Sequence, residues 1–185
     1  MRELDRTATT PPRFLFGPEV LRGLLGGAAA IALLGSLAKL TGLPLLIAPF
    51  GASSVLLFAA PASVFAQPKN LILGHLIASA VGLAVFRLAG NGVWAMAVAT
   101  GLAIAAMQIT RSIHPPAGAD PLVIMLSGAG SASFLLCPVL IGVLGLFVVS
   151  QVVNRLVRLF DRVPGEMAVS AVSAAPDGPA DNPSP

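Results

Sequence analysis

Residues 111–121 read Arg-Ser-Ile-His-Pro-Pro-Ala-Gly-Ala-Asp-Pro and interrupt a sequence that is otherwise strongly apolar. The prolines lack a backbone N–H group, so an α-helix cannot continue through this stretch. The same stretch carries a guanidinium, an imidazole and a carboxyl group. Non-helical backbone at membrane depth is stable only where protein or water surrounds it, and ionisable side chains there are functional candidates. The stretch therefore predicts both a broken transmembrane element and a functional site.

The composition is that of a polytopic membrane protein. Of the 185 residues, 56% are hydrophobic and 10% are charged, whereas an ordinary soluble domain has about 25% charged residues. Basic residues near the two ends are typical topology determinants and form no nucleic-acid-binding patch with interleaved aromatics. We therefore expect an integral protein of a bacterial inner membrane with no nucleic-acid partner. Between Gly23 and Asn154 the formally charged residues are Lys39, Lys69, Arg87, Arg111 and Asp120.

The sequence contains no pattern that indicates catalysis, a metal or a cofactor. The single cysteine, Cys137, excludes a disulfide framework and a thiolate metal site. The two histidines, His75 and His114, do not have metal-ligand spacing, and there is no phosphate-binding glycine loop or nucleophile elbow. We expect a protein that is not an enzyme and that carries no cofactor.

Three regions follow from the distribution of polar residues. Residues 1–19 are polar and lack the apolar core of a cleavable signal peptide, so we expect a cytoplasmic N-terminal segment. Residues 20–160 form a single transmembrane domain. Residues 161–185 are rich in Ala, Pro, Ser and Asp, which predicts a disordered tail.

The transmembrane domain contains six apolar segments and is expected to be all-α. Four are long enough to cross roughly 30 Å of hydrocarbon as helices, while two are short and begin with broken backbone. The four long segments are 22–40, 70–88, 93–110 and 134–157, and the two short ones are 44–60 and 119–127.

The two short segments resemble each other. Residues 49–57 and 116–124 lie 67 positions apart, and each has Pro-x-Gly-Ala followed by an oxygen-bearing side chain and an apolar run. The same offset aligns the long segments in pairs. The sequence therefore predicts two related halves, 20–90 and 91–157, each with two full transmembrane helices and one short broken helix.

Two topologies are compatible with these halves. About five extended residues at 3.3 Å plus nine helical residues at 1.5 Å reach roughly 30 Å, so each broken piece can cross the membrane and give an inverted 3+3 arrangement. If each piece returns to its starting side instead, the protein has four transmembrane helices and two re-entrant segments. The distribution of Lys and Arg favours the first topology, and both place the two termini in the cytoplasm.

Each broken piece is predicted to feed a half-helix whose start binds an anion. Asp120 is a suitable N-cap, and Ser53 or Ser54 takes that role in the first copy. The N–H groups after Gly51 and Gly118 would then be unpaired and would carry a partial positive charge. Discontinuous helices in two matching halves are typical of transporter sites near the membrane midplane.

Several side chains admit both a structural and a functional interpretation. His114 either bonds a freed backbone carbonyl or lines a pore as a proton acceptor. Arg111 and Lys69 either mark helix ends or attract anions. Asp120 either caps a helix, pairs with one of these cations or relays protons. The full predicted substrate-binding set is Gly51, Ser53, Ser54, Lys69, Asn70, His75, Arg111, His114, Gly118 and Asp120.

Three motifs, in order along the chain, resemble the HPP family of integral membrane proteins. The signature His-Pro-Pro corresponds to His114, Pro115 and Pro116, and it is followed by Ala-Gly-Ala. The stretches at 49–54 and 66–70, the latter followed by Gly-His at 74–75, resemble the family's other recurring motifs. The resemblance covers about residues 15–160. It implies four membrane-spanning helices and, for members in plastids and photosynthetic bacteria, an association with nitrite transport.

Together these observations predict a transporter for a small monovalent anion, with nitrite as the first candidate. A passive anion or small-solute channel would share the same polar seam, and a structural or interaction role without transport is the third alternative. Gly23 and Gly27 have the spacing of a close helix contact, so we also expect a homo-oligomer in the lipid bilayer.

Overall fold

The computed structural model describes residues 17–173, which contain six α-helices and no β-strand. Two 3₁₀ turns (Val64–Ala66 and Pro115–Ala119) and a π-helical turn (Leu135–Leu140) connect them. The all-helical class is therefore confirmed. The helices are α1 (Pro18–Thr41), α2 (Ala48–Ala59), α3 (Pro68–Ala89), α4 (Val93–Ile109), α5 (Asp120–Ser127) and α6 (Ile141–Ser173).

Three helices within these residues are long and apolar enough to cross a membrane: Pro18–Thr41, Pro68–Ala89 and Leu135–Leu159. The sequence predicted four. Segment 93–110 falls short because α4 has only 17 residues, which is about 26 Å at 1.5 Å per residue. Large apolar side chains such as Trp94 cover the outside of the bundle, as expected for a surface that faces lipid.

The first broken piece, residues 42–59, runs back along the whole of α1. Near its start, Leu46 packs against Gly35, whose missing side chain leaves space for the leucine. Near its end, the Arg22 Nε donates to the Phe58 carbonyl over 2.7 Å, one turn into α1. The extended part and α2 together therefore traverse the bundle instead of returning to the starting end.

The second broken piece, residues 112–130, runs beside α3 in the same direction as that helix. His114 packs against Gly74, near the start of α3. At the other end of α3, the Arg87 Nε donates to the Gly130 carbonyl over 3.0 Å. This piece also passes from one end of the bundle towards the other, which agrees with the crossing topology.

Helix contacts match between the two halves. In the first half, α1 packs against α2 and α6; correspondingly, α4 packs against α5 and α3 in the second half. Corresponding helices run in opposite directions because three crossings separate them. This arrangement is the one that inverted halves require, while the internal duplication itself stays a prediction.

The final helix differs from the predicted segment at both ends. Residues 134–157 were expected to form one unbroken helix, but Cys137 has extended backbone angles next to Pro138, and the helix breaks there. At its other end α6 continues to Ser173, into the stretch predicted to be disordered from residue 161. Residues 1–16 and 174–185, and the predictions made for them, lie outside the described part.

Glycine makes the close contact between α3 and α5 possible. A Cβ atom on Gly82 would lie 2.8 Å from the Pro121 Cα, and backbone cannot move aside as a flexible side chain can. On α4, by contrast, no atom lies within 4 Å of the corresponding position on Gly101.

We expect Gly82→Ala to lower the free energy of unfolding by about 1–3 kcal/mol, the usual cost of overpacking a well-packed contact. Gly101→Ala is the matched control, and it should be neutral or stabilising because alanine favours helix by about 1 kcal/mol over glycine. Thermal unfolding of the purified protein in detergent measures both variants. Equal melting temperatures for the two variants would contradict the close packing of α3 on α5.

Candidate functional site

Four polar side chains that are far apart in sequence meet inside the bundle. Ser53 comes from α2, His75 from α3, Asp120 from the start of α5, and His114 from the turn at residues 114–119. All four are fully buried, with 0% relative exposure. Together with Ser79 of α3 they are called the buried network below.

Ser53 lies at the centre of the buried network. Its Oγ is 2.9 Å from the Nε2 of His75 and 2.9 Å from the Nε2 of His114. The two imidazole rings are 5.0 Å apart between centroids. One hydroxyl therefore joins the two histidines, and it belongs to one broken piece while His114 belongs to the other.

Asp120 closes one end of the network. Its Oδ2 lies 2.8 Å from the His75 Nδ1 and accepts from the Ser79 hydroxyl over 3.0 Å, while its Oδ1 is buried and has no hydrogen-bond partner among the described residues. The predicted N-cap role is wrong, because Asp120 is already helical and Ala119 precedes it as the cap. Neither predicted cation is its partner, since His75 takes that position.

The other end of the network is a backbone carbonyl. The His114 Nδ1 lies 2.8 Å from the Phe65 oxygen, in the 3₁₀ turn before α3. That turn is held in place by Asn70, whose Nδ2 donates to the Val64 carbonyl over 2.8 Å. Asn70 therefore supports the site through the turn and does not contact the network itself.

Two local features allow His114 to reach its partners. Pro115 and Pro116 replace the α-helix by a short 3₁₀ turn, so the backbone before them is extended. Gly74 of α3 faces the histidine, and a Cβ there would lie 2.6 Å from the His114 Cβ. Gly74 thus leaves space for the His114 side chain, and the next residue, His75, provides the second imidazole of the network.

The structure rules out the predicted anion site at the start of α2, whereas the one after Gly118, before the start of α5, stays a prediction. Helix α2 begins at Ala48, before Gly51, so Gly51 and Ser53 lie inside the helix and neither caps it. Ser54 is turned to its own helix, where its hydroxyl donates to the Phe50 carbonyl over 2.9 Å. Gly118 lies within the 3₁₀ turn. The corrections at Gly51 and Ser53 arise because the extended stretch ends at Ile47 and α2 starts at Ala48, three residues before Gly51.

The two predicted cations lie outside the buried network. Lys69, at the start of α3, and Arg111, in the turn after α4, are both exposed. Arg111 has a φ of 51°, a left-handed conformation that non-glycine residues adopt mainly in tight turns. Their predicted attraction of anions could act only from the surface.

Sequence analysis missed a polar cleft at the end of the bundle where α1 begins. The cleft has a volume of about 350 Å³ and contains two arginines without a carboxylate among its described lining residues. It is called the arginine cleft below. Its polar lining residues are Arg22, Gln67, Ser150, Gln151, Asn154 and Arg158.

The arginine cleft and the buried network lie on either side of the turn Val64–Ala66. Ala66 lines the cleft, and the adjacent Phe65 carbonyl bonds to His114. The sequence signal for the cleft was Asn154, an amide within an apolar helix. Its Nδ2 donates to the Leu57 carbonyl over 3.1 Å, and its Oδ1 is buried with no partner in the part of the chain that the structure describes. The turn therefore separates the positively charged arginine cleft from the buried network, whose side chains can exchange protons.

Removing the acceptor at one end of the network should destabilise the fold. We expect Asp120→Ala to lower the free energy of unfolding by about 3–5 kcal/mol, because it leaves the His75 and Ser79 donors buried without a partner. Glu19→Ala removes an exposed carboxylate from α1 and should change stability by less than about 0.5 kcal/mol. Chemical unfolding in detergent compares the two variants, and an Asp120 variant as stable as the Glu19 variant would contradict the buried bonds.

Comparison with known proteins identifies relatives of this chain. The transmembrane region of the HPP family matches residues 16–161. Two transmembrane proteins of Dictyostelium discoideum are 38% and 39% identical over 121 residues, which are 61% of this chain and 39% and 42% of the relatives. This chain thus spans about two fifths of the length of these relatives. No solved structure matches.

The family match covers most of the chain, including every member of the buried network and both broken pieces. The resemblance of three motifs to the family, from which fold and membrane location were expected, is therefore confirmed. The chain is a membrane protein that belongs to the HPP transmembrane family.

Proposed function

We propose that this protein transports a small monovalent anion across the membrane, with nitrite as the first substrate to test. The observation that carries the proposal is the buried network itself. Two histidines and an aspartate are costly inside an apolar bundle, and such groups usually mark a substrate or ion pathway. The network joins the two broken pieces, which is where transporters of discontinuous helices bind their substrates.

The arginine cleft supports an anion as the substrate. Arg22 and Arg158 place two positive charges in a cleft whose other polar groups are amides and a hydroxyl. A cleft lined by charges of one sign raises the local concentration of the opposite ion. Nitrite is preferred among monovalent anions because the HPP resemblance implies it.

Transport is preferred over catalysis on geometric grounds. Ser53, His75 and Asp120 follow the order of a serine hydrolase triad. However, a second histidine also bonds to Ser53, and the serine lies in the body of α2, where helical bonding occupies the N–H groups that an oxyanion would need. A hydrolase would react with a fluorophosphonate probe, and we expect Ser53 to remain unlabelled.

Localisation and assembly are part of the same proposal. The start of α1 and residues 153–157 of α6 line a common cleft, so they lie at one end of the bundle. The excess of basic residues near these ends favours the cytoplasmic side of a bacterial inner membrane. Gly23 and Gly27 line an open cleft between α1 and α2, which supports a homo-oligomer through close helix contact.

Flux into liposomes tests the function directly. Purified protein should take up nitrite faster than protein-free vesicles do, and nitrate, formate, chloride and bicarbonate should be tested as competitors. We expect His114→Ala to lower uptake about tenfold or more, since a hydrogen bond to a charged group contributes about 1.5–3 kcal/mol. Normal uptake by a correctly inserted His114→Ala variant would exclude the network from the pathway.

The same vesicles distinguish a carrier from a passive channel. A carrier shows counterflow, in which unlabelled nitrite inside drives the transient accumulation of labelled nitrite, whereas a channel does not. Because every side chain of the network is fully buried in this conformation, we expect counterflow. Its absence would favour the channel.

The arginine cleft gives a further prediction. Replacing both Arg22 and Arg158 by Gln should raise the KM for nitrite about tenfold, the lower limit of electrostatic focusing. The effect should shrink at about 1 M salt, where the Debye length is about 3 Å. Lys39→Gln removes an exposed charge at the opposite end of α1 and serves as the control. Equal KM values for both variants would contradict the cleft as the point of access.

A further inference from the structure

We infer that Ser53 relays a proton between His75 and His114, so that the anion crosses the membrane together with one proton. The inference rests on the anion transport proposed above and deepens it by naming a second substrate and the residue that moves it. It follows from counting hydrogen atoms along the chain of bonds from Phe65 to Asp120.

The first bond fixes one proton on His114. The Phe65 carbonyl can only accept a hydrogen bond, so the His114 Nδ1, 2.8 Å away, must carry a hydrogen. The His114 Nε2 then accepts when the ring is neutral and donates when the ring is an imidazolium. The state of His114 can therefore be read from the direction of its bond to Ser53.

The last bond fixes one proton between His75 and Asp120. The aspartate Oδ2 lies 2.8 Å from the His75 Nδ1 and also accepts from Ser79. With Asp120 as a carboxylate, the His75 Nδ1 must be the donor. The state of His75 then depends only on its Nε2, which also faces Ser53.

Ser53 allows only one of the two histidines to be charged. Its hydroxyl has a single hydrogen, which it donates to one Nε2, so the other Nε2 must donate to Ser53 for both 2.9 Å bonds to exist. The nitrogen that donates belongs to the imidazolium. The two histidines therefore share one proton, and with the Asp120 carboxylate the network is neutral overall.

The shared proton can move while every nitrogen and oxygen atom of the network stays in place. The His75 Nε2–H bond breaks as a new Ser53 O–H bond forms, and the original Ser53 O–H bond breaks as the His114 Nε2–H bond forms. The positive charge passes from His75 to His114, and nothing is oxidised or reduced. The serine ends as a hydroxyl whose hydrogen bonds have reversed direction.

The position of the proton controls the attraction for an anion. On His75 the charge is paired with Asp120 across one hydrogen bond. On His114 it lies beside the turn that separates the network from the arginine cleft, away from the carboxylate. An anion next to His114 would stabilise the second state. Binding of the anion and movement of the proton thus favour each other, as reciprocal coupling requires.

Within residues 17–159, three titratable groups take part in the hydrogen bonds of this relay. His75 belongs to α3, His114 to the turn at residues 114–119, and Asp120 to α5. Ser53, Ser79 and the Phe65 carbonyl are the other polar groups in contact. Any dependence of transport on pH should therefore trace to these three groups.

The wild-type protein tests the inference without any substitution. Nitrite uptake into liposomes, corrected for protein-free vesicles, should respond to a pH gradient, with about tenfold accumulation per pH unit when the interior is alkaline. It should not respond to membrane potential, because an anion and a proton together carry no charge. An anion moving alone would accumulate about fiftyfold at about 100 mV, interior positive.

The two possible failures are distinguishable. Uptake that follows the potential and ignores the pH gradient would overturn the proton relay and leave anion transport standing. No nitrite uptake above the protein-free background would overturn the proposed function, and the relay with it.

Substitution of Ser53 tests the relay itself. Net uptake requires the proton to move, whereas exchange of labelled for unlabelled nitrite does not. We expect Ser53→Ala to lower the ratio of net uptake to exchange about a hundredfold, the lower end of what a positioned proton-transfer group contributes. Ser53→Thr keeps the hydroxyl and should restore most of the ratio.

Ser54→Ala is the matched control for Ser53→Ala. It removes a buried hydroxyl from the adjacent position of α2, one that bonds only to its own helix, and the ratio should stay at the wild-type value. A Ser53→Ala variant that keeps this ratio, or that loses net uptake and exchange equally, would overturn the relay and leave Ser53 with a binding or structural role.

Discussion

Polar groups inside an apolar bundle must find partners within the protein, because lipid offers none. This requirement explains why the two broken pieces lie together. Each lacks the continuous helical bonding of a transmembrane helix over part of its length, and each carries a polar side chain inward. Ser53 and Asp120 stand four residues after Pro49 and Pro116 respectively, and both reach His75. Satisfying these groups fixes the positions of α2, α3 and α5 at once.

Much of this arrangement could be predicted from the sequence because it follows from local chemistry. Prolines at residues 115–116 cannot continue an α-helix, and long apolar segments must cross the membrane. The pairing of the broken pieces followed from the repeated Pro-x-Gly-Ala pattern. His75, His114, Ser53 and Asp120 were all among the predicted site residues, since polar groups beside a helix break are rare in such a sequence. Their convergence in the buried network agrees with that reasoning.

The errors arose where tertiary contacts override local signals. Asp120 has a residue type and a position that suit an N-cap, but a buried imidazole is a stronger partner for its carboxylate. The arginine cleft joins residues from both ends of the chain, so no local pattern could indicate it. Lys69 and Arg111 were selected because charge is scarce in the sequence; the structure places both at exposed helix ends outside the buried network, and their attraction of anions stays a prediction.

The serine at the centre of the network has a consequence for how the chain is made. Ser53 and His75 leave the ribosome before His114 and Asp120, because they come earlier in the chain. During that interval the first half holds a hydroxyl and an imidazole in the membrane without their later partners. We expect this half to remain close to the insertion machinery, or to a chaperone that shields it, until the second half arrives. The polar interior of the first half is then completed only when the second half joins it.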